Sequence, residues 1–222
     1  MHVYCYENTA INELRRNLSA CREGEYEGLE IKMKDPIWKP DFGPSNFNSK
    51  TGAIAVGARN FLIAYNINLN TENVEIAKKI AGIIRESGTI ENITGENSEI
   101  LKIKKPGKFK GLKAIGWYIP QYGKVQVSTN ITDINTIPLY KVFEEIKLLS
   151  KNYNIDVSGS EIIGLVPIQP IIESGKYYLQ LEGKPKANDN EIIDAAIHYL
   201  GLNNVTLFIK EQRILEYLLQ TV

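Results

Sequence analysis

A strict alternation of two side-chain rows between Phe61 and Asn68 is the feature that most constrains how this chain folds. The first row is apolar and consists of Phe61, Ile63, Tyr65 and Ile67. The second row turns polar along its length and consists of Leu62, Ala64, Asn66 and Asn68. A period of two is typical of a strand with one buried face. The sequence therefore predicts a strand over 61–69 whose second row faces water, a ligand or another lobe.

The elements that follow this strand predict the fold class. Strands are expected over 61–69, 111–119, 124–132 and 155–166, and the middle two are joined by a hairpin turn. Helices are expected over 72–87, with Thr71 as N-cap, and over 138–153. This order is β-α-β-β-α-β, so we predict an α+β, ferredoxin-like fold with both helices on one face of a four-stranded antiparallel sheet. Extra C-terminal helices are predicted over 167–178, 191–200 and 210–219.

The remaining segments carry weaker patterns. A strand is predicted over 2–7, a helix over 11–21, a short helical piece over 24–33 and an ordered loop over 37–50. Arg15 is read as part of a solvated helix face, and 89–110 is read as a polar surface segment with at most short structure. We divide the chain into an N-terminal strand and helix segment, 1–36, and a binding subdomain, 37–222.

Charge and cysteine content exclude several classes of protein. Lys and Arg number 26, as do Asp and Glu, so the formal net charge is zero, which argues against nucleic acid or an anionic membrane as the main partner. Cys5 and Cys21 form no metal motif and suit a reducing compartment. We expect a soluble cytoplasmic protein without a metal. The lysines within 102–110 form one basic cluster, either a solvated face or a patch that attracts an anionic substrate tail.

No residue is assigned as catalytic from the sequence. It contains no nucleophile elbow, zinc-protease helix, paired-cysteine motif or phosphate-binding loop. His2 lies at the terminus, and His198 lies in a predicted helix, where a histidine is more often a boundary residue than a base. The chemistry indicated by the sequence is therefore binding.

Two stretches are candidates for that binding. The first is the Gly-rich loop from residue 43 to 52, whose backbone can follow a ligand without Cβ clashes. The second is the polar rows of two neighbouring strands, which contain Asn66, Asn68, Gln126, Ser128 and Asn130. These rows suit a pterin ring or an amidine, or they are simply a solvent-facing surface. Arg59 either clamps a carboxylate or pairs with Asp41 to hold the loop.

Five ordered segments resemble one family, the glutamate formimidoyltransferases. They are Pro40–Asn68, Gly24–Leu29, Ile115–Tyr118, Gln126–Asp133 and Gly164–Pro167. The resemblance implies two lobes with a folate cleft between them, and a folate-contacting loop. That loop corresponds to Gly43, Pro44, Ser45, Asn46, Phe47, Asn48, Ser49, Lys50, Thr51 and Gly52.

The resemblance also implies an activity and its co-substrate. Family members transfer a formimino group from N-formimino-L-glutamate to N5 of tetrahydrofolate, a step of one-carbon metabolism and histidine degradation. The family's catalytic histidine belongs to a first-lobe segment that has no counterpart here. We therefore expect the folate-binding lobe of a split enzyme whose first-lobe subunit supplies that histidine.

Three other arrangements stay open on the sequence alone. The chain could be a non-catalytic folate-binding or interaction module, a duplicate that serves another one-carbon reaction, or a fragment of a longer enzyme. In each case it could also form a homo-oligomer.

Overall fold

The computed structural model describes residues 1–94 and 100–219, which fall into two compact units. The first unit is Met1–Asn60 and the second is Phe61–Val222. These units are defined by contacts within the chain. The division predicted between residues 36 and 37 concerns the extent of a folate-binding subdomain, and it stays a prediction.

The first unit is built on a two-stranded parallel sheet. Strand β1 (His2–Glu7) pairs in register with strand β2 (Ala53–Ala58). The predicted strand over 2–7 is confirmed, whereas β2 was not predicted. Every residue of β2 is exposed, while β1 contributes Tyr4 to a small core with Leu29 and Met33. One strand of this sheet is therefore covered and the other is open.

The helix predicted over 11–21 is wrong. The chain forms a 3-10 turn at Glu13–Arg15 and then a short helix α1 (Leu18–Arg22), because two asparagines each cap a new start. Asn12 accepts a hydrogen bond from the Leu14 amide, and Asn17 accepts one from the Ser19 amide. Helix α2 (Leu29–Lys32) is likewise shorter than the helical piece predicted over 24–33.

The second unit contains most of the regular structure. Its elements are β3 (Ile63–Leu69), α3 (Val74–Ile84), β4 (Thr89–Thr94), β5 (Ile100–Lys105), β6 (Leu112–Ile119), β7 (Lys124–Ile131), α4 (Leu139–Lys151), β8 (Val157–Ile163), α5 (Ile168–Leu181), α6 (Asp189–Tyr199), α7 (Lys210–Arg213) and α8 (Leu215–Leu219). None of the helices among the described residues is long and apolar enough to cross a membrane.

The central sheet of this unit confirms the predicted fold class. Its strand order is β6-β7-β3-β8 and every neighbouring pair is antiparallel. With α3 and α4 between the strands, this is the β-α-β-β-α-β order of a ferredoxin-like sheet, extended by four C-terminal helices. Three members of the predicted apolar row, Ile63, Tyr65 and Ile67, are buried at no more than 1% exposure, as is Leu69. The fourth, Phe61, is 61% exposed because the strand begins only at Ile63, so its place in the buried row was predicted wrongly. The buried members pack in one core with residues of both helices, including Ala77 and Ile146.

Close approach of helix to sheet depends on Gly116 in β6. A Cβ placed there would lie 2.2 Å from the backbone nitrogen of Lys78 in α3, so no larger residue fits without moving the helix. The N-cap of α3 is Asn73, which accepts a hydrogen bond from the Glu75 amide, and not Thr71 as predicted. The helix therefore begins two residues later than expected.

A chain of buried hydroxyls ties the sheet to the C-terminal helices. Tyr65 donates to Ser160 across the sheet at 3.0 Å, and Ser160 donates to the Leu200 carbonyl at 2.5 Å. Thr129 donates to the Tyr65 carbonyl at 2.5 Å. Burial, the main cause, raises the pKa of the Tyr65 hydroxyl, so it stays a neutral donor.

Two further predictions need correction. The segment 89–110 contains paired strands β4 and β5, which form their own antiparallel sheet, while its residues 95–99 lie outside the described ones. The helix predicted over 210–219 is two helices, α7 and α8, interrupted at Ile214. Ile214 is fully buried and bridges to Val166, so tertiary pairing breaks the helix there.

Candidate functional site

The loop from Gly43 to Gly52 belongs to the first unit and is fastened to β1 at both ends. The Val3 amide donates to the Phe42 carbonyl at 3.0 Å, and the His2 amide donates to the Gly52 carbonyl at 3.2 Å. Gly43 has φ of +94°, and a Cβ there would lie 2.3 Å from the Met1 carbonyl oxygen. Between these anchors, every loop residue except Phe47 is exposed. The loop is thus held in place while its polar groups face outward.

The His2 side chain stabilises the same loop through contacts with three of its residues. It is fully buried, and its Nδ1 lies 2.9 Å from the Pro44 carbonyl oxygen. The Asn48 amide donates to its Nε2 at 3.2 Å, so the ring is neutral with its proton on Nδ1. The Phe47 ring stacks on the imidazole at 6.2 Å between centroids. The sequence offered no signal for this role, because every partner is more than forty residues away.

A buried ion pair holds the start of the loop. Arg15 Nη2 lies 2.6 Å from Asp41 Oδ1, with 6% and 2% of the two side chains exposed. Asp41 also accepts the Cys5 amide at 2.7 Å, and Arg15 donates to the Lys39 carbonyl at 3.1 Å. The prediction that Arg15 lies on a solvated face is therefore wrong. So is the pairing of Asp41 with Arg59, since Asp41 is already paired.

Arg59 is exposed, and within residues 1–94 and 100–219 its side chain makes no ion pair. This excludes the interpretation in which Arg59 holds the loop by an ion pair with Asp41. The alternative in which its guanidinium clamps a carboxylate stays a prediction.

The polar row predicted on the second unit lies on the sheet face opposite the helices. The strand register places Asn66 beside Ser128 and Asn68 beside Gln126. Asn130, on the same face, is exposed. The structure therefore brings four of these five amide and hydroxyl side chains together in two adjacent pairs.

Gln126 forms the centre of a hydrogen-bonded network on this face. Its Nε2 donates to Asn68 Oδ1 and to Glu161 Oε1, both at 2.7 Å, and Trp117 Nε1 donates to its Oε1 at 2.9 Å. Because indole nitrogen is only a donor, this last bond fixes which amide atom is the oxygen. Gln126 is 1% exposed, so its amide orders the face and both of its hydrogens are already used.

Sequence reasoning missed three side chains of this network. Trp117 is 45% exposed at the edge strand, and Glu161 accepts the Tyr122 hydroxyl at 3.4 Å in addition to Gln126. Burial and the Glu161 carboxylate raise the pKa of the Tyr122 hydroxyl, which keeps it a donor. Glu161 lies between Ser160 and Ile162, and Trp117 between Gly116 and Tyr118, so no clear alternation of polar and apolar residues marked either position in the sequence.

Two family models match the chain in order. The formiminotransferase domain matches residues 64–220, and the N-terminal subdomain of the formiminotransferase domain matches residues 1–59. The chain belongs to the formiminotransferase domain family. The two matches meet at the boundary between the two compact units.

Curated relatives agree with this membership. The chain is 39% identical over 219 residues to a formimidoyltransferase-cyclodeaminase of Dictyostelium discoideum, covering 98% of the chain and 38% of the relative. It is 40% identical over 188 residues to a glutamate formimidoyltransferase of Thermoplasma acidophilum, covering 84% and 56%. A glutamate formimidoyltransferase of Streptococcus pyogenes is 38% identical over 180 residues, covering 81% and 54%. The chain thus spans between about two fifths and just over half of these relatives.

Proposed function

We propose that this chain is the folate-binding part of a glutamate formimidoyltransferase. The reaction moves a formimino group from N-formimino-L-glutamate to N5 of tetrahydrofolate, which acts as a co-substrate, and the chain holds these two molecules without a metal. The observation that carries the proposal is the ordered match of both units to formiminotransferase models, together with relatives named for this transfer. A cytoplasmic location, which the free thiols of Cys5 and Cys21 favour, is part of the proposal.

Each candidate site has a distinct task in this proposal. The loop from Gly43 to Gly52 offers backbone amides and short polar side chains to folate. Arg59, exposed and uncommitted among the described residues, binds a glutamate carboxylate through two parallel N–H groups. Asn66, Ser128 and Asn130 offer hydrogen bonds from the sheet face, and Gln126 keeps that face in order.

Proton transfer is the part of the reaction that this chain is not proposed to supply. The N5 amine of tetrahydrofolate must lose a proton and the departing glutamate nitrogen must gain one. A positioned histidine contributes about 100-fold to 10,000-fold to such a step. We assign that histidine to the first lobe, as a separate subunit or as further sequence joined to this chain. The wholly exposed strand β2 offers backbone groups with which that lobe can extend the two-stranded sheet.

The test is a binding and complementation experiment. Calorimetric titration of the purified chain with tetrahydrofolate should show saturable binding. Addition of a first-lobe protein from a family member should then produce 5-formiminotetrahydrofolate, which the chain alone does not form in repeated turnovers. Absence of folate binding contradicts the proposal. Binding that never leads to turnover with any first lobe instead indicates a folate-binding module.

A further inference from the structure

Glu161 lies on β8, an edge strand of the sheet, and its side chain belongs to the open face. The register places it beside Asn66, which is itself beside Ser128 on the next strand. Residues paired in this way have Cβ atoms about 5 Å apart. Glu161 is partly buried, and Asn66 is 7% exposed. The carboxylate therefore lies next to neutral polar side chains.

Two donors orient the Glu161 carboxylate. Gln126 Nε2 donates to Oε1 at 2.7 Å, and the Tyr122 hydroxyl approaches Oε2 at 3.4 Å. A carboxylate has about four lone-pair sites, so each oxygen keeps one acceptor position after these contacts. Two parallel acceptors with a fixed orientation match a ligand that offers two parallel N–H groups.

No second carboxylate competes for such a ligand on this face. The side chains that share the face in the paired stretches of the four strands are Ala64, Asn66, Asn68, Lys113, Ile115, Trp117, Ile119, Lys124, Gln126, Ser128, Asn130, Glu161 and Ile163. Glu161 is the one acid among them. The position that accepts N–H groups with full negative charge is thus unique on the face.

Trp117 adds a flat surface near the carboxylate. Its indole N–H and Glu161 Oε1 bond to the same amide group of Gln126, so these two atoms lie within roughly 8 Å of each other. Nearly half of the Trp117 side chain is exposed. An aromatic ring that reaches the carboxylate with one edge can therefore contact the indole with its body.

We propose that Glu161 is the specificity-determining residue of this face and binds a planar N–C–N edge bearing two N–H donors. The inference rests on the proposed function, because both substrates named there carry such an edge. In tetrahydrofolate it is the 2-amino group and N3–H of the pterin. In N-formimino-L-glutamate it is the protonated formamidine. Each carboxylate oxygen accepts one charge-assisted hydrogen bond from an N–H group of that edge.

The experiment uses the full chain and its conservative variant Glu161→Gln. The amide keeps the size of the side chain but replaces one acceptor oxygen with a donor. Trp117 fluorescence, measured in a Trp38→Phe background, reports titration with tetrahydrofolate and with N-formimino-L-glutamate. Charge-assisted bonds of this kind lead us to expect that Kd for one of the two rises roughly 10- to 100-fold. Glu75→Gln, on the exposed surface of α3, is the matched control and should leave both Kd values unchanged.

The two ligands distinguish the sources of the edge. Loss confined to tetrahydrofolate assigns Glu161 to the pterin, and a 2-desamino analogue should then bind wild type and Glu161→Gln equally. Loss confined to N-formimino-L-glutamate assigns it to the formamidine, with N-formyl-L-glutamate as the corresponding analogue. Unchanged affinity for both ligands, with wild-type binding intact, overturns the inference and leaves the proposed function standing. Wild-type protein that binds neither ligand contradicts the proposed function as well.

Discussion

Replacing Arg15 by Met should destabilise the first unit specifically. The substitution removes the 2.6 Å bond to Asp41 and leaves that carboxylate, 2% exposed, without its counter-charge. Breaking a buried ion pair on one side costs about 3 to 5 kcal/mol. A unit of this size has a total stability of roughly 3 to 9 kcal/mol. The free-energy loss is therefore comparable to the total stability of residues 1–60, which include the start of the loop.

Hydrogen exchange followed by mass spectrometry resolves the effect by unit. Peptides from residues 1–60 should exchange roughly a hundredfold faster or more in Arg15→Met, because local opening becomes cheaper by the same free energy. Peptides from the second unit should not change. The matched control is Arg16→Met, whose pair with Glu13 is exposed and should have no measurable effect.

A double substitution should reveal the coupling between the two charges of the pair. Arg15→Met combined with Asp41→Leu removes both charges, so the double variant should lose less stability than the two single variants together. The double variant should still be less stable than wild type, because the Cys5 amide loses its hydrogen-bond acceptor. Equal exchange in Arg15→Met and Arg16→Met would refute the account, since it would mean that the buried pair contributes no more than an exposed one.

Three further outcomes are expected. His2→Ala should speed amide exchange in the loop at least tenfold and weaken folate binding, because two loop backbone groups lose their partner; His198→Ala, an exposed histidine, should do neither. Tyr65→Phe should cost about 0.5 to 1.5 kcal/mol in urea denaturation, because Ser160 loses a buried donor. Burial raises the pKa of the Cys21 thiol, so less thiolate is present at a given pH and its alkylation should begin at higher pH than that of a free thiol, by peptide mapping.

Each of these outcomes has a clear contrary. Unchanged amide hydrogen exchange of the loop in His2→Ala would mean that the imidazole contacts do not restrain the loop. If Tyr65→Phe lowers the free energy of unfolding by no more than the experimental error, water replaces the missing donor. Alkylation of the thiol at the ordinary pH would mean that the helix around it opens readily to solvent.

The second unit could be predicted well because its signals are local. The alternation from Ile63 to Leu69 is visible within a few residues, and so is the hairpin turn that ends at Gly123. Each period of two assigns side chains to a face without knowledge of distant partners. Strand order then follows from the small number of ways in which β-α-β-β-α-β units fold.

The first unit resisted prediction because its contacts are distant in sequence. Strand β2 is rich in Ala and Gly, which have low strand propensity, and its partner β1 lies some fifty residues earlier. Arg15 looks solvated until Asp41, 26 positions away, is placed against it. Asn12 and Asn17 interrupt a helical pattern by capping, which the spacing of apolar residues cannot reveal.

On the open face, the period of two along each strand predicted which side chains point outward. It did not predict which of them keep free hydrogen-bonding groups. Gln126 uses both amide hydrogens within the face, so the free acceptor capacity shifts to Glu161. A ligand that reaches Glu161 would therefore meet a negative charge, which favours N–H-rich edges and repels carboxylates. If folate binds here as proposed, its anionic glutamate tail should point away from Glu161 and toward cations. Lys113, paired with Asn130 on the edge strand, is such a cation on the same face. In the proposed complex, the hydrogen bonds of Gln126 to its neighbours would therefore set the orientation of the substrate, although Gln126 has no free amide hydrogen for it.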